Sequence, residues 1–251
     1  MTDMKKHAIP FVLIALFFIA PAAGGPTDYS PNLMPRDSVP TRITWNVIEA
    51  PEVAFSLWFS GTENWLAQEG SQMTFNITGI NGDVEGQLEL GNVTLTANDT
   101  DIAKDLTLGV WGLTPWHPGL VVKIGDSNLV SLNQTAFAAA ERVAGNYLNG
   151  TMVSSFEPVE SNGALYDCIV FEYEQDPTGF GEPQMTSLAY DTETGVLVKA
   201  NTSYSFGIPY TLILELEGIH IPTVDPVLLW VGVAIAGVVL IMVAVAIRTR
   251  K

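Results

Sequence analysis

The sequence contains few of the residues on which catalysis, metal binding and disulfide bonding depend. It has one cysteine, Cys168, and three histidines, and the two outside the amino terminus, His117 and His220, lie roughly a hundred positions apart. A single cysteine excludes an intramolecular disulfide, and two distant histidines are too few for a histidine-based zinc site. The chain also lacks a Gly-x-Ser-x-Gly elbow, a P-loop and a Gly-x-Gly-x-x-Gly loop, so no nucleotide or other cofactor is predicted.

Positive charge is also scarce. The chain has 11 Lys and Arg against 27 Asp and Glu. Between residues 23 and 225 only six basic residues face 26 acidic ones, which gives that region a net charge of −20. Such a surface repels nucleic acid and anionic lipid headgroups, so we expect no nucleic-acid partner. It favours solubility in a salty exterior, with specific cation binding as the alternative.

Two hydrophobic runs predict an exported protein with a membrane anchor. Residues 226–247 contain no charge and are followed by Arg248, Arg250 and Lys251. A helix of this length rises roughly 33 Å, enough to cross a hydrocarbon core of about 30 Å. At the amino terminus, Lys5 and Lys6 precede an apolar run at 8–20 and a small-residue site at 20–22, a pattern typical of a cleaved signal peptide. Basic residues flank the cytoplasmic end of both runs, so both predict one orientation.

These runs define the predicted domain organisation. We expect a signal peptide at 1–22, an irregular lead-in at 23–38 and one extracellular domain at 39–221. A short linker at 222–225, the membrane span at 226–247 and a cytoplasmic tail at 248–251 complete the chain. With a tail of four residues, any function lies in the extracellular domain, which sits close to the membrane.

Six asparagines occupy the pattern Asn-x-Ser/Thr without proline, which predicts N-glycosylation of an exported chain. They are Asn76, Asn92, Asn98, Asn133, Asn149 and Asn201. A glycan cannot point into a core, so each acceptor must face solvent. Strand alternation predicts that Asn76 faces solvent while its neighbours Phe75 and Ile77 face the core. It likewise predicts that Asn201 faces solvent while Ala200 faces the core.

The hydrophobic pattern predicts a mainly β fold, with an antiparallel and curved sheet of about ten strands and one packed helix. The predicted strands are 42–48, 53–59, 72–78, 87–95, 105–111, 120–124, 152–158, 165–174, 185–190, 196–206 and 210–217. The helix is predicted over 134–148, with Asn133 as its N-cap and an apolar stripe that includes Phe137, Val143 and Tyr147.

Two positions in this sheet have specific signals. Leu88 and Leu90 alternate in one phase and Val93 and Leu95 in the other, which predicts a β-bulge near Gly91 in a continuous strand. Residues 188–198 predict a hairpin whose turn ends on Gly195.

The hairpin residues Tyr190, Asp191, Thr194, Gly195 and Leu197, together with the signal peptide, the sequons and the single span, resemble uncharacterised archaeal cell-surface proteins. This resemblance covers the whole chain in layout, but in motif only about the last sixty residues. The order of strands, one helix and a terminal meander is also similar to the half-barrels of the lipoprotein-carrier type. That likeness implies a sheet wrapped around a helix and an apolar cavity, but it transfers no functional residue.

Candidate binding residues are few. Trp111, Trp116 and His117 lie in one turn and suit sugar stacking or protein contact, with core packing as the alternative. Asp99, Asp101 and Asp105 offer oxygen ligands for calcium, but they lack the glycine and distal glutamate of an EF-hand.

Two further features each have a structural and a functional interpretation. Glu172 with Glu174, and Glu215 with Glu217, have the spacing of paired catalytic carboxylates, although solvated outer-face charges are the alternative. Cys168 lies among apolar residues, as a buried inert thiol does.

The sequence therefore predicts a non-catalytic binding or adhesion protein of the cell envelope. Its expected partners are the membrane and an extracellular protein, glycan or lipid. One alternative is a carrier or sensor that holds an apolar ligand between sheet and helix, in a pocket lined by Phe137, Val143 and Tyr147. A second is an extracellular hydrolase, which requires two acids that converge in a cleft.

Overall fold

The computed structural model describes residues 28–36, 39–52, 55–56, 64–65, 67–91, 93–110, 115–143, 149–177, 181–205 and 209–222. Nine strands form one antiparallel sheet in the order β6-β5-β4-β1-β11-β10-β9-β8-β7, and β2 and β3 form a separate pair. The strands are β1 (Thr41–Glu49), β2 (Phe55–Ser56), β3 (Asn64–Trp65), β4 (Gln72–Asn81), β5 (Asp83–Leu90), β6 (Val93–Asn98), β7 (Gly150–Ser161), β8 (Ala164–Gln175), β9 (Met185–Asp191), β10 (Leu197–Ser205) and β11 (Pro209–His220). The helices are α1 (Asp99–Asp105) and α2 (Asp126–Val143), and a 3-10 turn covers Pro31–Leu33.

Alternating apolar residues explain why the central strands form. In β1 the inward residues Ile43, Trp45 and Val47 are fully buried, and in β11 Leu212, Leu214 and Leu216 are buried in the same way. Because successive side chains of a strand point to opposite faces, this pattern gives each strand one apolar face. The mainly β, antiparallel prediction is confirmed. The predicted hairpin at 188–198 is also confirmed, with Leu197 opposite Tyr190 and Gly195 at φ +78°.

The sheet curls but does not close. At the end of β7, Ser161 Oγ donates to Leu216 O of β11 (2.8 Å), and Asn162 Nδ2 donates to Glu217 O (2.8 Å). Three strands separate β7 from β11, so these strands would lie about 19 Å apart in a flat sheet. The direct contact therefore requires strong curvature. The edge strands β6 and β7 do not pair with each other.

A long connection fills the concave face of the sheet. Residues 106–124, which we call the crossing segment, link α1 to α2 and carry the buried side chains of Leu106, Leu108, Val110, Leu120 and Val122. Strands were predicted at 105–111 and 120–124, and both predictions are wrong. Apart from single bridges at Val110 and Val121, the described residues of the segment form no strand. Their apolar alternation reflects packing against the sheet, not membership of it.

Two other local predictions are corrected. The helix begins at Asp126 rather than at 134, so Asn133 lies inside it and is not its N-cap. The phase change at Gly91 is a hairpin turn, not a bulge in one strand. It places Leu88 opposite Leu95 and Leu90 opposite Val93 on adjacent strands, with Gly91 at φ +62°.

The termini of the described region bear on the predicted domain bounds. Part of the predicted lead-in packs on the domain, because Leu33 is fully buried and Asp28 O accepts a hydrogen bond from Ile124 N (2.8 Å). The predicted signal peptide, membrane span and cytoplasmic tail lie outside the described residues. None of the helices within the described ranges is both long and apolar enough to cross a membrane.

Candidate functional site

Of the predicted aromatic cluster, Trp116 belongs to the core. Its indole is 7% exposed and meets Phe171 edge to face, with ring centroids 5.1 Å apart. Its backbone exchanges two hydrogen bonds with Val110 (2.9 Å each). A buried indole offers no face to a ligand in solution, so the structure favours the core role of Trp116. Trp111 lies outside the described residues.

His117 is half-buried beside Trp116. Its Nδ1 lies 3.3 Å from Leu108 O, and burial lowers the pKa of the imidazole. The described part of this turn therefore folds back on Leu108 and Val110 within the crossing segment. Ligand binding through the turn stays a prediction, without support from an exposed ring.

Polar side chains of the sheet hold the crossing segment in place. Its backbone carbonyls accept hydrogen bonds from the strands: Tyr210 Oη to Leu106 O (3.0 Å), Thr202 Oγ1 to Thr107 O (3.0 Å), Thr186 Oγ1 to Gly109 O (2.9 Å) and Tyr190 Oη to Gly119 O (2.9 Å). Within the sheet, Trp45 Nε1 of β1 donates to Leu197 O of β10 (2.7 Å). Buried carbonyls need such partners, so these inward polar residues serve packing, and the described part of the crossing segment occupies this face of the sheet.

Asp99 is the most buried carboxyl group of the described region, at 1% exposure. Its Oδ2 accepts from Val121 N (3.1 Å), and the backbone N–H groups of Val84 and Leu120 also lie against it. Burial raises the pKa of Asp99 to about 7, although these N–H donors act in the opposite direction. The carboxyl group joins α1 to the crossing segment and faces no open cleft.

The calcium candidates do not converge. Asp99 points into the interior, whereas Asp101 lies at the surface, where it accepts from Lys104 Nζ (2.8 Å) and from Asn98 Nδ2 (2.8 Å). The Lys104 ammonium lowers the pKa of Asp101. Asp105 lies at the other end of α1. Across the described ranges, no group of three or more His, Cys, Asp or Glu side chains is placed to hold a metal ion.

The paired glutamates lie where the sequence placed them, on the outer face of the sheet. Glu172 and Glu174 are exposed on β8. On β11, Glu215 forms an ion pair with Lys199, and Glu217 accepts a hydrogen bond from Gln72. Glu172 and Glu174 line an open pocket of about 240 Å³ on the outer face, but no other described acid lines it and both side chains stay exposed. Glu215 and Glu217 each contact another side chain, so this geometry gives the hydrolase hypothesis little support among the described acids.

The five described sequon asparagines differ in access. Asn76 is 4% exposed, because its Oδ1 accepts from Arg42 Nε (3.0 Å) and its Nδ2 donates to Glu89 Oε1 (2.7 Å). It lies on the predicted face, but Arg42 and Glu89 cover it. Asn98 caps α1, and Asn149 donates to Asp176. Asn201 is exposed. Asn92 lies outside the described residues.

Cys168 is 1% exposed, and burial raises the pKa of its thiol to about 12. A thiol in this state is not a nucleophile at neutral pH, which agrees with the predicted inert role.

An apolar groove of about 490 Å³ lies between the first half of α2 and the strands β7 and β8. The side chains of Leu129, Val130, Phe156 and Ile169 contribute its apolar lining. Phe156 is 70% exposed and Val130 is 56% exposed. Asn133 Oδ1 accepts a hydrogen bond from Ser154 Oγ (2.6 Å), which fixes the helix to the strand beside the groove.

Sequence reasoning missed this groove because it started the helix eight residues too late. Val130 then fell outside any element, although Asp126 after Gly125 is a typical acidic first turn. The pocket of the carrier hypothesis was placed on Phe137, Val143 and Tyr147. Phe137 is 37% exposed, and the side chains of Val143 and Tyr147 lie outside the described set.

No family model fits this chain, and no curated protein matches its sequence. The resemblance to archaeal cell-surface proteins therefore stays a prediction.

Proposed function

We propose that this chain is a membrane-anchored, N-glycosylated cell-surface protein with a non-catalytic binding role. The membrane span and signal peptide rest on the sequence. The binding role rests on the described domain, in which the crossing segment packs on the inner face of the sheet and an apolar groove stays open at the surface.

One observation carries the proposal: two large apolar side chains, Phe156 and Val130, are more than half exposed at a groove of an otherwise acidic domain. Each buried apolar side chain contributes roughly 1.5 to 3 kcal/mol, so leaving two of them in water forgoes a clear gain in stability. Contiguous exposed apolar surface is typical of interaction sites. We assign the contact to this groove rather than to the turn with Trp116.

The carrier of an apolar ligand is the second candidate, because the groove does lie between helix and sheet. It is open to solvent on one side, so a bound acyl chain would be only partly enclosed. This function predicts that a solvatochromic fatty-acid probe brightens with the protein and loses that signal in Phe156→Asp. A protein or peptide ligand predicts no such brightening.

The experiment compares two variants of the full chain in detergent micelles. Phe156→Asp places a charge in the groove, and Met185→Asp is the matched control, since Met185 is 52% exposed on the outer face. Both are assayed on arrays of synthetic 12-residue peptides and of glycans. We expect Phe156→Asp to weaken peptide binding about tenfold or more, with Met185→Asp unchanged. Equal profiles for both variants would remove the groove from the proposal.

The anchor is tested separately. The full chain should stay with membranes after alkaline extraction, and deletion of 226–247 should release it. Recovery of the full chain in the soluble fraction would contradict the membrane assignment.

A further inference from the structure

The edge strand β7 has a row of backbone groups on the side away from β8, and no described strand pairs with them. Asp176 N donates to Asn149 O (2.8 Å), and these two residues continue the β7–β8 ladder by one step. Hydrogen-bonded and non-bonded pairs alternate along an antiparallel ladder. The odd-numbered residues of β7 therefore bond to β8, and the even-numbered residues, including Ser154 and Phe156, direct their backbone polar groups away from it. Pro158 has no N–H, so the uninterrupted run of outward donors lies before it and includes Ser154 and Phe156. Among the described strands, none pairs with this side of β7.

The two-residue turn at the end of β7 supports this register. Asn162 and Gly163 have φ values of +48° and +75°, as in a type I′ hairpin turn, and Ser161 faces Ala164 across it. The flanking pair of such a turn is hydrogen-bonded. Ser161, like Asn149, is odd-numbered. Both ends of the ladder therefore indicate that the odd-numbered residues of β7 form the hydrogen bonds to β8.

Charge restricts what can bind along this edge. Between residues 150 and 198 the sequence has nine acidic residues and no Lys, Arg or His. Glu157, Glu172 and Glu174 project from the outer face of β7 and β8 and are exposed. A second copy of this domain would bring the same charge and be repelled, whereas a cationic segment would be attracted.

The two faces of the edge differ in a way that matches an alternating segment. On the inner face, Phe156 and Ile169 lie opposite each other and line the groove with Val130. On the outer face lie the carboxylates. Alternate residues of an added strand point to opposite faces, so apolar side chains would enter the groove while Lys or Arg side chains meet Glu157 and Glu172.

We propose that β7 binds an extended partner segment of alternating apolar and cationic residues as an antiparallel tenth strand of the main sheet. This inference rests on the proposed binding function and names the partner chemistry of the same groove. Backbone bonds to Ser154 and Phe156 supply the pairing, and the groove selects the inward side chains.

The probe is a labelled acetyl-(Val-Lys)5-amide peptide, and its binding to the full chain in micelles is followed by fluorescence anisotropy. Ser154→Pro removes an outward N–H without touching the β8 ladder, and proline is tolerated on edge strands. Ser154→Ala is the matched control, because it also loses the hydroxyl that bonds Asn133. We expect about a tenfold or greater loss for Ser154→Pro relative to Ser154→Ala.

The peptide provides a second measurement that does not depend on how Ser154→Pro folds. In antiparallel addition, the inward-facing valines bond to β7, so methylation of the valine nitrogens should abolish binding and methylation of the lysine nitrogens should spare it. Acetyl-(Val-Glu)5-amide should not bind, and added salt should weaken the binding of the lysine peptide.

Three results would overturn strand addition: equal binding of both methylated peptides, equal binding of the glutamate peptide, or no binding of the lysine peptide. If Phe156→Asp still abolishes the binding of other peptides in such a case, the groove remains the site and only the strand pairing is wrong. If Phe156→Asp also has no effect on any peptide, the proposed function fails together with the inference.

Discussion

The two edges of the sheet are built differently. β6 has six residues, and α1 follows it directly and packs against β5 and β6. The apolar residues of β6, Val93, Leu95 and Ala97, pack against the core. β7 has twelve residues, and most of them are exposed, including Phe156 and Val153. Proteins usually shorten or cover sheet edges, because unpaired strands attract other chains. The first edge is short and followed by a helix. The second keeps a long strand beside an apolar groove, although α2 packs against β7 and Pro158 removes one of its N–H groups.

The largest loss of stability is expected at the contact between Asp99 of α1, beside the β6 edge, and the buried crossing segment. Gly119 has φ +103°, and a Cβ atom there would overlap the carboxylate of Asp99. Gly119→Ala therefore combines backbone strain with displacement of a buried group, and we expect a loss of at least about 4 kcal/mol in unfolding free energy. The measurement is urea unfolding of the full chain followed by tryptophan fluorescence.

Gly163→Ala is the control for that experiment. Gly163 also has a positive φ (+75°), but a Cβ atom there meets nothing within 4 Å. We expect about 1 kcal/mol, from strain alone. Equal losses for the two variants would mean that the Asp99 contact does not matter.

Changing pH acts on the same covered edge. The folded-state pKa of Asp99 is raised to about 7 from an ordinary value of 3.8. Its protonated form therefore stabilises the fold below pH 4, and this contribution is lost as pH rises through 7. From pH 4 to 7 the loss is about 3 kcal/mol, since each pKa unit corresponds to about 1.4 kcal/mol.

The wild-type chain and Asp99→Asn are compared by urea unfolding across this pH range. The asparagine variant cannot ionise, so its stability should fall less steeply with pH, although the other acids contribute to both slopes. Parallel curves for the two proteins would show that Asp99 stays ionised in the folded protein.

A smaller effect distinguishes two asparagines with the same sequon. Asn76→Ala removes hydrogen bonds to Arg42 and Glu89 at a buried site, so we expect a loss of about 1.5 kcal/mol in unfolding free energy. Asn201→Ala, at an exposed site, should change stability by less than about 0.5 kcal/mol. Mass spectrometry of the protein from its membrane should find glycan on Asn201 and none on Asn76. Glycan on Asn76 in the folded protein would contradict its burial.

The smallest change in stability is expected at the open edge. Phe156→Asp should alter the unfolding free energy by less than about 0.5 kcal/mol, because the side chain is 70% exposed. The same variant is expected to lose ligand binding. A large loss of stability would show that Phe156 is a packing residue and would remove the contrast between the two edges.

The sequence predicted the parts of the fold that depend on neighbouring residues. Alternation located β1, β4, β8, β9 and β11, and Gly195 marked the turn of one hairpin. The crossing segment was misread because its Leu and Val spacing resembles that of a strand. Only the distant side chains of Thr186, Thr202 and Tyr210 reveal that its carbonyls are bonded to the sheet face. Local spacing contains no information about such partners.

The groove was beyond sequence reasoning for a similar reason. Val130 and Phe156 are separated by 26 positions, and their proximity depends on the angle at which α2 meets β7. The small residues Ala136 and Ala139, both fully buried, let the helix approach the sheet closely. They give no signal for where that contact ends and the groove begins.

The position of β11 at the centre of the sheet sets a condition on how this domain folds. β11 is the last of the described strands, yet it pairs with β1, the first of them, so that Arg42 lies opposite His220. Within the described sheet, the ladder that joins β4, β5 and β6 to the later hairpins passes through this pair. Contacts between such distant parts of a chain form slowly. Each newly made molecule must therefore wait for nearly its last described residues before its two halves can join, and until then it needs protection from aggregation and proteolysis.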